Sequence, residues 1–187
     1  MASKLSLWLL KLLGWSVHAN YPQSKKYVII AAPHTSNWDF PLGIIAQSAM
    51  KLNIQWIGKH TLFRWPYGWF FRAIGGTPVY RHENLNLSQQ LATRFANTEA
   101  MVLALAPEGT RKKTNHWKTG FYHIAVAANV PIAMAHLDFG RKEVGIGKSF
   151  MPSGDIENDF EIIREYYRNI RGKNPQQASS IQIRQAR

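Results

Sequence analysis

The 187-residue chain contains no cysteine. That removes disulfides, thiolate nucleophiles and thiolate zinc sites at one stroke, and suits a reducing compartment. Acid is scarce: 11 Asp and Glu stand against 23 Lys and Arg, for a net charge of +12 and a pI near 10.1. No acidic residue occurs between Phe40 and His82, where Lys51, Lys59, Arg64, Arg72 and Arg81 all fall. No apolar run approaches the roughly 20 residues that span a bilayer, and no cleavage site of the Ala-x-Ala kind follows the first apolar segment. Internal repeats, low-complexity tracts and domain linkers are missing too. Seven histidines are present, yet there is no His-x-His, no His-Glu-x-x-His and no dense acidic cluster, so metal-assisted hydrolysis lacks a ligand pattern. No Gly-x-Ser-x-Gly elbow offers a serine nucleophile. The charge would suit nucleic acid, but no helix-turn-helix, zinc-finger or RNP signature supports it, and no nucleic-acid partner is expected.

What is present is an alternation of apolar runs and helical patterns. Residues 25–32, 54–57, 77–80, 100–106 and 131–137 read as strands, with 143–146 pairing at an edge. Residues 42–52, 87–99, 120–128 and 156–171 read as helices; Leu87, Leu91 and Phe95 share one face of the second, and Phe160, Ile163 and Tyr167 one face of the last. The alternation predicts an α/β fold, one domain with a mostly parallel or mixed central sheet covered by helices on both faces. At 45% hydrophobic the chain can fill such a core.

The division expected is a short amphipathic helix over 1–16, the α/β domain over 17–172 and a basic, disordered tail over 173–187. Residues 2–16 are rich in Leu and Trp, with Lys4 and Lys11 on one narrow face. This fits a helix lying in a membrane interface and equally one docked on the protein's own core. Residues 61–72 interleave aromatics with Arg64 and Arg72. Such a run suits a lipid headgroup layer, stacking on single-stranded nucleic acid, or a core from which arginine heads snorkel.

Three stretches carry candidate chemistry. Ala32-Pro33-His34-Thr35-Ser36-Asn37-Trp38-Asp39 lies where a strand hands over to a helix, a usual place for site residues in an α/β sheet. The His-x4-Asp spacing lets Asp39 fold back on His34, fixing its tautomer and freeing the other nitrogen as a base. Taken alone, the pair reads as a capping carboxylate and a satisfied turn histidine before it reads as catalysis. Ser36 would hold the turn or cap the helix. Ala106-Pro107-Glu108-Gly109-Thr110-Arg111 follows another apolar strand. There Gly109 permits close backbone approach, Thr110 and Arg111 face a ligand, and Glu108 pairs with Arg111 or a ligand hydroxyl. Arg81, ending the Gly75-Gly76 stretch, and Lys59, ending a strand, are further phosphate candidates.

In order and spacing these stretches resemble the glycerolipid acyltransferases, whose best-known members are the lysophosphatidic acid acyltransferases. The family's Asn-His-x-Ser-x-x-Asp block is matched by His34, Ser36 and Asp39, and its Phe-Pro-Glu-Gly-Thr-Arg block by Pro107 to Arg111. Gly75, Gly76 and Arg81 match the glycine-pair block, and Val130-Pro131-Ile132 the fourth. Together the blocks cover about residues 27 to 138. Departures stand at Pro33, Ala106, Lys112 and Met134; they touch the acceptor more than the chemistry. The resemblance implies transfer of a fatty acyl group from acyl-CoA or acyl carrier protein, used as co-substrate with no bound cofactor or metal. His34 and Asp39 would be catalytic, with Glu108, Gly109, Thr110, Arg111, Arg81 and Lys59 holding substrate and Ser36 and Lys118 supporting. It further implies a lysolipid acceptor, an anionic membrane surface as partner, and a peripheral place on the cytoplasmic face. The alternatives are the same chemistry on a non-phosphate acceptor, or a basic membrane- or nucleic-acid-binding protein without catalysis.

Overall fold

A strand apolar on both faces is stable only inside a sheet covered on both sides. Lys26–Ala32 (KYVIIAA) is such a strand. In the computed structural model, which describes residues 2–79 and 87–184, it lies at the centre of one seven-stranded sheet. The strands are β1 (Ser16–Ala19), β2 (Lys26–Ala32), β3 (Ile54–Lys59), β4 (Gly76–Val79), β5 (Met101–Leu105), β6 (Ile132–Asp138) and β7 (Glu143–Phe150). The helices are α1 (Ala2–Leu12), α2 (Asp39–Ala49), α3 (Gly68–Ala73), α4 (Leu87–Ala96), α5 (Gly120–Ala128) and α6 (Ile156–Tyr167). Strand order is β1-β7-β6-β2-β5-β3-β4. Every pair is parallel except β6 with β7, so the sheet is mostly parallel with one antiparallel turn-back.

The two faces are covered by different helices. Leu10 and Trp15 pack with Leu42, Ala46 and Ala49 of α2 against Leu137 and Val144. On the other face Phe95 of α4, Phe121 of α5 and Phe160 of α6 close over Val28, Ile30, Leu103 and Ile132. Full burial of each large apolar side chain there stabilises the fold by about 1.5–3 kcal/mol. The Tyr167 hydroxyl, fully inside, lies 2.8 Å from Ile30 O and 2.9 Å from Ala135 O, tying α6 to both β2 and β6. Burial pushes that phenol's pKa well up, so it stays a neutral donor.

This topology sets the site. From β2 the chain passes through α2 on one face, and from β5 through α5 on the other. Yet β2 and β5 are neighbours, with Ile30 opposite Leu105. Their carboxyl ends therefore open a crevice between diverging loops, where ligands bind in such sheets.

Several element bounds differ from expectation, and three differences matter most. The N-terminal helix stops at Leu12, and residues 16–19 form β1, which the sequence pattern hid because a four-residue edge strand has little periodicity. α6 ends at Tyr167 rather than 171. Residues 173–184 are not a disordered tail: Ile181 and Ile183 pack on the main core, and Trp117 N donates to Gln182 O at 2.9 Å. That short apolar alternation supplies the burial the basic composition concealed.

Two surfaces remain apolar. α1 buries Leu10 but exposes Leu5, Leu7, Trp8 and Leu12. The run from 60 to 73 divides. Phe63 is buried and Phe71 stacks with Trp56 and Phe40, whereas Trp65 is 92% and Trp69 72% exposed. No helix among the described residues is long and apolar enough to cross a membrane.

β1 can pair with β7 only because Gly145 has no side chain: a Cβ there would lie 1.9 Å from His18 O. Gly145→Ala is expected to push β1 off the sheet. Overpacking of this kind costs about 1–3 kcal/mol, and each kcal/mol lowers Tm by roughly 2–4 °C at this size. Differential scanning calorimetry of the variant checks it.

Candidate active site

Asp39 opens α2 but does not cap it. Its carboxylate turns back, and Oδ2 accepts Thr35 N and Ser36 N, both at 2.9 Å. The same oxygen lies 3.0 Å from His34 Nδ1. A carboxylate only accepts, so Nδ1 carries the proton and Nε2 keeps its lone pair. Asp39 is 5% exposed, whereas the His34 side chain is 27% exposed. The orienting group is thus inside and the candidate base reaches outward. Ser36 Oγ accepts Trp38 N at 3.2 Å, which makes Ser36 a turn holder, one of the two roles its position suggested.

Glu108 differs from expectation. It is 2% exposed and touches neither Arg111 nor open solvent. Oε1 accepts His34 N at 2.5 Å, and Oε2 accepts Ser179 N at 3.2 Å. Each oxygen accepts a backbone N–H, so Glu108 ties the His34 loop to the Ser179 segment. Burial raises its pKa, and the N–H donors of His34 and Ser179 pull the other way. Burial is the larger effect, and those donors oppose it in part.

The rest of the turn faces outward. Gly109 N donates to Ala106 O at 3.0 Å, closing it. Gly109 has φ +64°, and its missing Cβ is replaced by the Lys118 chain, whose Cε would lie 2.9 Å away. Lys118 N in turn donates to Pro107 O at 2.8 Å. Thr110 Oγ1 accepts Lys112 N at 3.2 Å. The Arg111 side chain is exposed, and among the described residues no carboxylate pairs with it. Lys59 ends β3, the strand beside β5, and is exposed as well. The structure therefore joins His34, Asp39, Ser36 and Glu108 directly and sets Gly109, Thr110, Arg111 and Lys118 on the adjoining turn. Arg81 lies outside the described residues. Sequence reasoning missed Thr35, Asn174, Gln177 and Ser179, all of which hold this turn.

The acyltransferase family profile matches residues 15–135, the span that holds both blocks. The chain belongs to the acyltransferase family. A 1-acyl-sn-glycerol-3-phosphate acyltransferase of Haemophilus influenzae is 29% identical over 134 residues, 66% of this chain and 54% of that protein. The chain thus matches about half the length of that relative. The solved structure of the 1-acyl-sn-glycerophosphate (LPA) acyltransferase PlsC from Thermotoga maritima superposes with a TM-score of 0.57 at 18% identity. It covers 89% of this chain and 74% of its own, and so shares the fold.

The chain has a second titratable cluster around buried His136, on the strand beside β2. His136 Nδ1 lies 2.6 Å from Tyr166 Oη and Nε2 3.0 Å from Glu143 Oε1. Burial lowers the His136 pKa, keeping the ring neutral as a strut between α6 and β7. No three His, Asp or Glu side chains among the described residues are grouped to hold a metal ion.

Glu108→Gln is a sharp test of the inward role. An amide has one acceptor oxygen, so its NH2 must face either His34 N–H or Ser179 N–H. Leaving one buried donor unpaired costs about 1–3 kcal/mol. A lowered Tm together with reduced turnover is expected; a variant as stable and active as the parent contradicts the role.

Proposed function

We propose that the chain is an O-acyltransferase that moves a fatty acyl group from an acyl thioester to the hydroxyl of a lysophospholipid such as lysophosphatidic acid. The observation that carries this is the buried Asp39 carboxylate 3.0 Å from His34 Nδ1, with the ring reaching out of the sheet's carboxyl end. A free hydroxyl is a poor nucleophile and needs its proton taken as it attacks. His34 Nε2 removes that proton while the acceptor oxygen attacks the thioester carbonyl carbon. The new C–O bond forms, the C–S bond breaks, and the imidazolium returns the proton to the departing thiolate. Asp39 stabilises the transient imidazolium. Donor and acceptor meet directly, with no acyl-enzyme. Acyl-CoA or acyl carrier protein serves as co-substrate, and no cofactor or metal enters.

The names of the Haemophilus and Thermotoga relatives support a glycerophosphate acceptor. So does exposed Arg111, with no carboxylate partner among the described residues, whose planar fork suits a phosphate. Arg81 and Lys59 are the other cations we assign to this headgroup, with Lys118 packing the Gly109 turn. The +12 charge favours an anionic membrane or an acidic carrier. Exposed Trp8 and Leu12 of α1, with Trp65 and Trp69 beside Arg64, give that membrane contact apolar and aromatic insertion points. The enzyme would then lie peripherally on the cytoplasmic face.

Two measurements test this. Arg111→Lys keeps charge but loses the bidentate fork. Its KM for lysophosphatidic acid is expected to rise roughly ten- to a hundredfold, the size of a lost hydrogen bond to a charged group at about 1.5–3 kcal/mol, with the thioester's KM little changed. Equal use of a monoglyceride, with Arg111 dispensable, would keep acyl transfer and remove the phosphate site. Separately, Trp8→Ser with Leu12→Ser should release the protein from anionic liposomes without lowering Tm. Liposome binding that is unchanged would remove α1 from the membrane contact.

A further inference from the structure

Residues 172–182 run across the back of the His34 turn, and several of their polar groups are spent on it. Asn174 Nδ2 donates to Thr35 O at 2.8 Å, and Asn174 N to Thr35 Oγ1 at 3.2 Å. With its amide nitrogen turned inward, Gln177 donates to Thr35 O at 3.0 Å and to Arg111 O at 2.9 Å. Ser179 N donates to Glu108 Oε2 at 3.2 Å. Lys173 Nζ sits 4.8 Å from the centre of the Trp38 ring. Gly172 makes the approach possible, since a Cβ there would lie 2.5 Å from Thr35 Oγ1.

These contacts have a common target. Thr35 is fully buried between His34 and Ser36. Its N–H goes to Asp39, and its carbonyl and hydroxyl go to the segment from 172 onward. Gln177 alone bridges the carbonyl of Thr35 after β2 and that of Arg111 after β5. The segment is anchored at its far end, where Ile181 and Ile183 pack on the core and Ser180 N donates to Thr114 O at 3.1 Å. It is therefore a fixed crosspiece between two loops that diverge to opposite faces of the sheet. A base displaced by about 1 Å can lose roughly a hundredfold in rate.

We infer that residues 172–179 form a positioning strap: Asn174, Gln177 and the Ser179 N–H fix the His34 turn against the Glu108 turn without touching the reacting groups. The inference rests on the acyl-transfer reading for its kinetic part and on the hydrogen bonds alone for its structural part. A strap of this kind governs how often His34 stands in the attacking geometry. Loss of its Asn174 or Ser179 contacts lowers kcat and leaves KM in place, because Gln177 still holds the Arg111 backbone.

Ser179→Pro removes the N–H that reaches Glu108. Ser179→Ala keeps that N–H but loses the hydroxyl, with its contacts to Thr114 at 3.1 Å and 3.0 Å and its share in holding the Glu108 carboxylate. Asn174→Ala removes the side-chain donor to Thr35 O and covers the case in which the proline variant fails to fold. In the full-length chain, kcat and KM are measured with palmitoyl-CoA and lysophosphatidic acid, and amide exchange at His34 and Thr35 is followed by NMR. Ser179→Pro and Asn174→Ala are expected to lower kcat by about tenfold or more, to leave both KM values within about twofold and to speed exchange at both amides. Ser179→Ala should do less, since the N–H to Glu108 stays. Unchanged exchange at His34 and Thr35, or a folded Asn174→Ala protein with parental kcat, overturns the strap. A parent protein with no thioester turnover would instead fail the acyl-transfer reading, and the exchange data would then decide the strap alone.

Discussion

The two N–H groups on the Glu108 carboxylate are the constraint on which the site depends. One comes from His34, seventy-four residues earlier, and the other from Ser179, seventy-one residues later. A carboxylate that is 2% exposed is expensive unless its oxygens are satisfied. Satisfying them forces three remote stretches to a single point. The parallel register of β2 and β5 brings the first two near enough to meet. The packing of Ile181 and Ile183 brings the third. Acid is rare in this chain, and one of its few carboxylates is spent inside as a tie rather than outside as a ligand.

That arrangement divides labour between the two carboxylates. Asp39 orients the imidazole through Nδ1, while Glu108 orients the backbone that carries it. Neither is free to meet substrate, which leaves cations and neutral groups on the open side: Arg111, Lys118, Lys59 and the exposed edge of His34. An anionic headgroup entering the crevice thus meets no facing carboxylate from these blocks. Trp8 of α1 and Trp65 and Trp69 of the run after β3 are exposed as well.

Much of this was legible in the sequence. Apolar runs of five to seven residues bounded by turn signals gave the core strands, and the His-x4-Asp spacing gave the His34–Asp39 contact. Local pattern sufficed there because each feature lies within one element and its flanking turn. Long-range partners were not legible. Nothing near Glu108 says that its carboxylate faces His34 N–H and not Arg111, because that choice is made by the strand register. Nothing near Lys173 says that a basic, polar segment is ordered; only the Ile181–Ile183 pair hints at burial, and two residues carry little periodicity. The four-residue β1 escaped for a similar reason, since its place is set by the absence of a side chain at Gly145 on another strand.

The most direct measurement is thioester turnover by purified His34→Ala beside the parent, at matched folded concentration confirmed by calorimetry. The side chain reaches outward and Thr35, Ser36 and Glu108 hold the turn through backbone, so the variant is expected to melt within a few degrees of the parent. Loss of a positioned general base lowers the rate by about two to four orders of magnitude. A folded His34→Ala protein that still transfers acyl groups at near-parental rate would contradict the account.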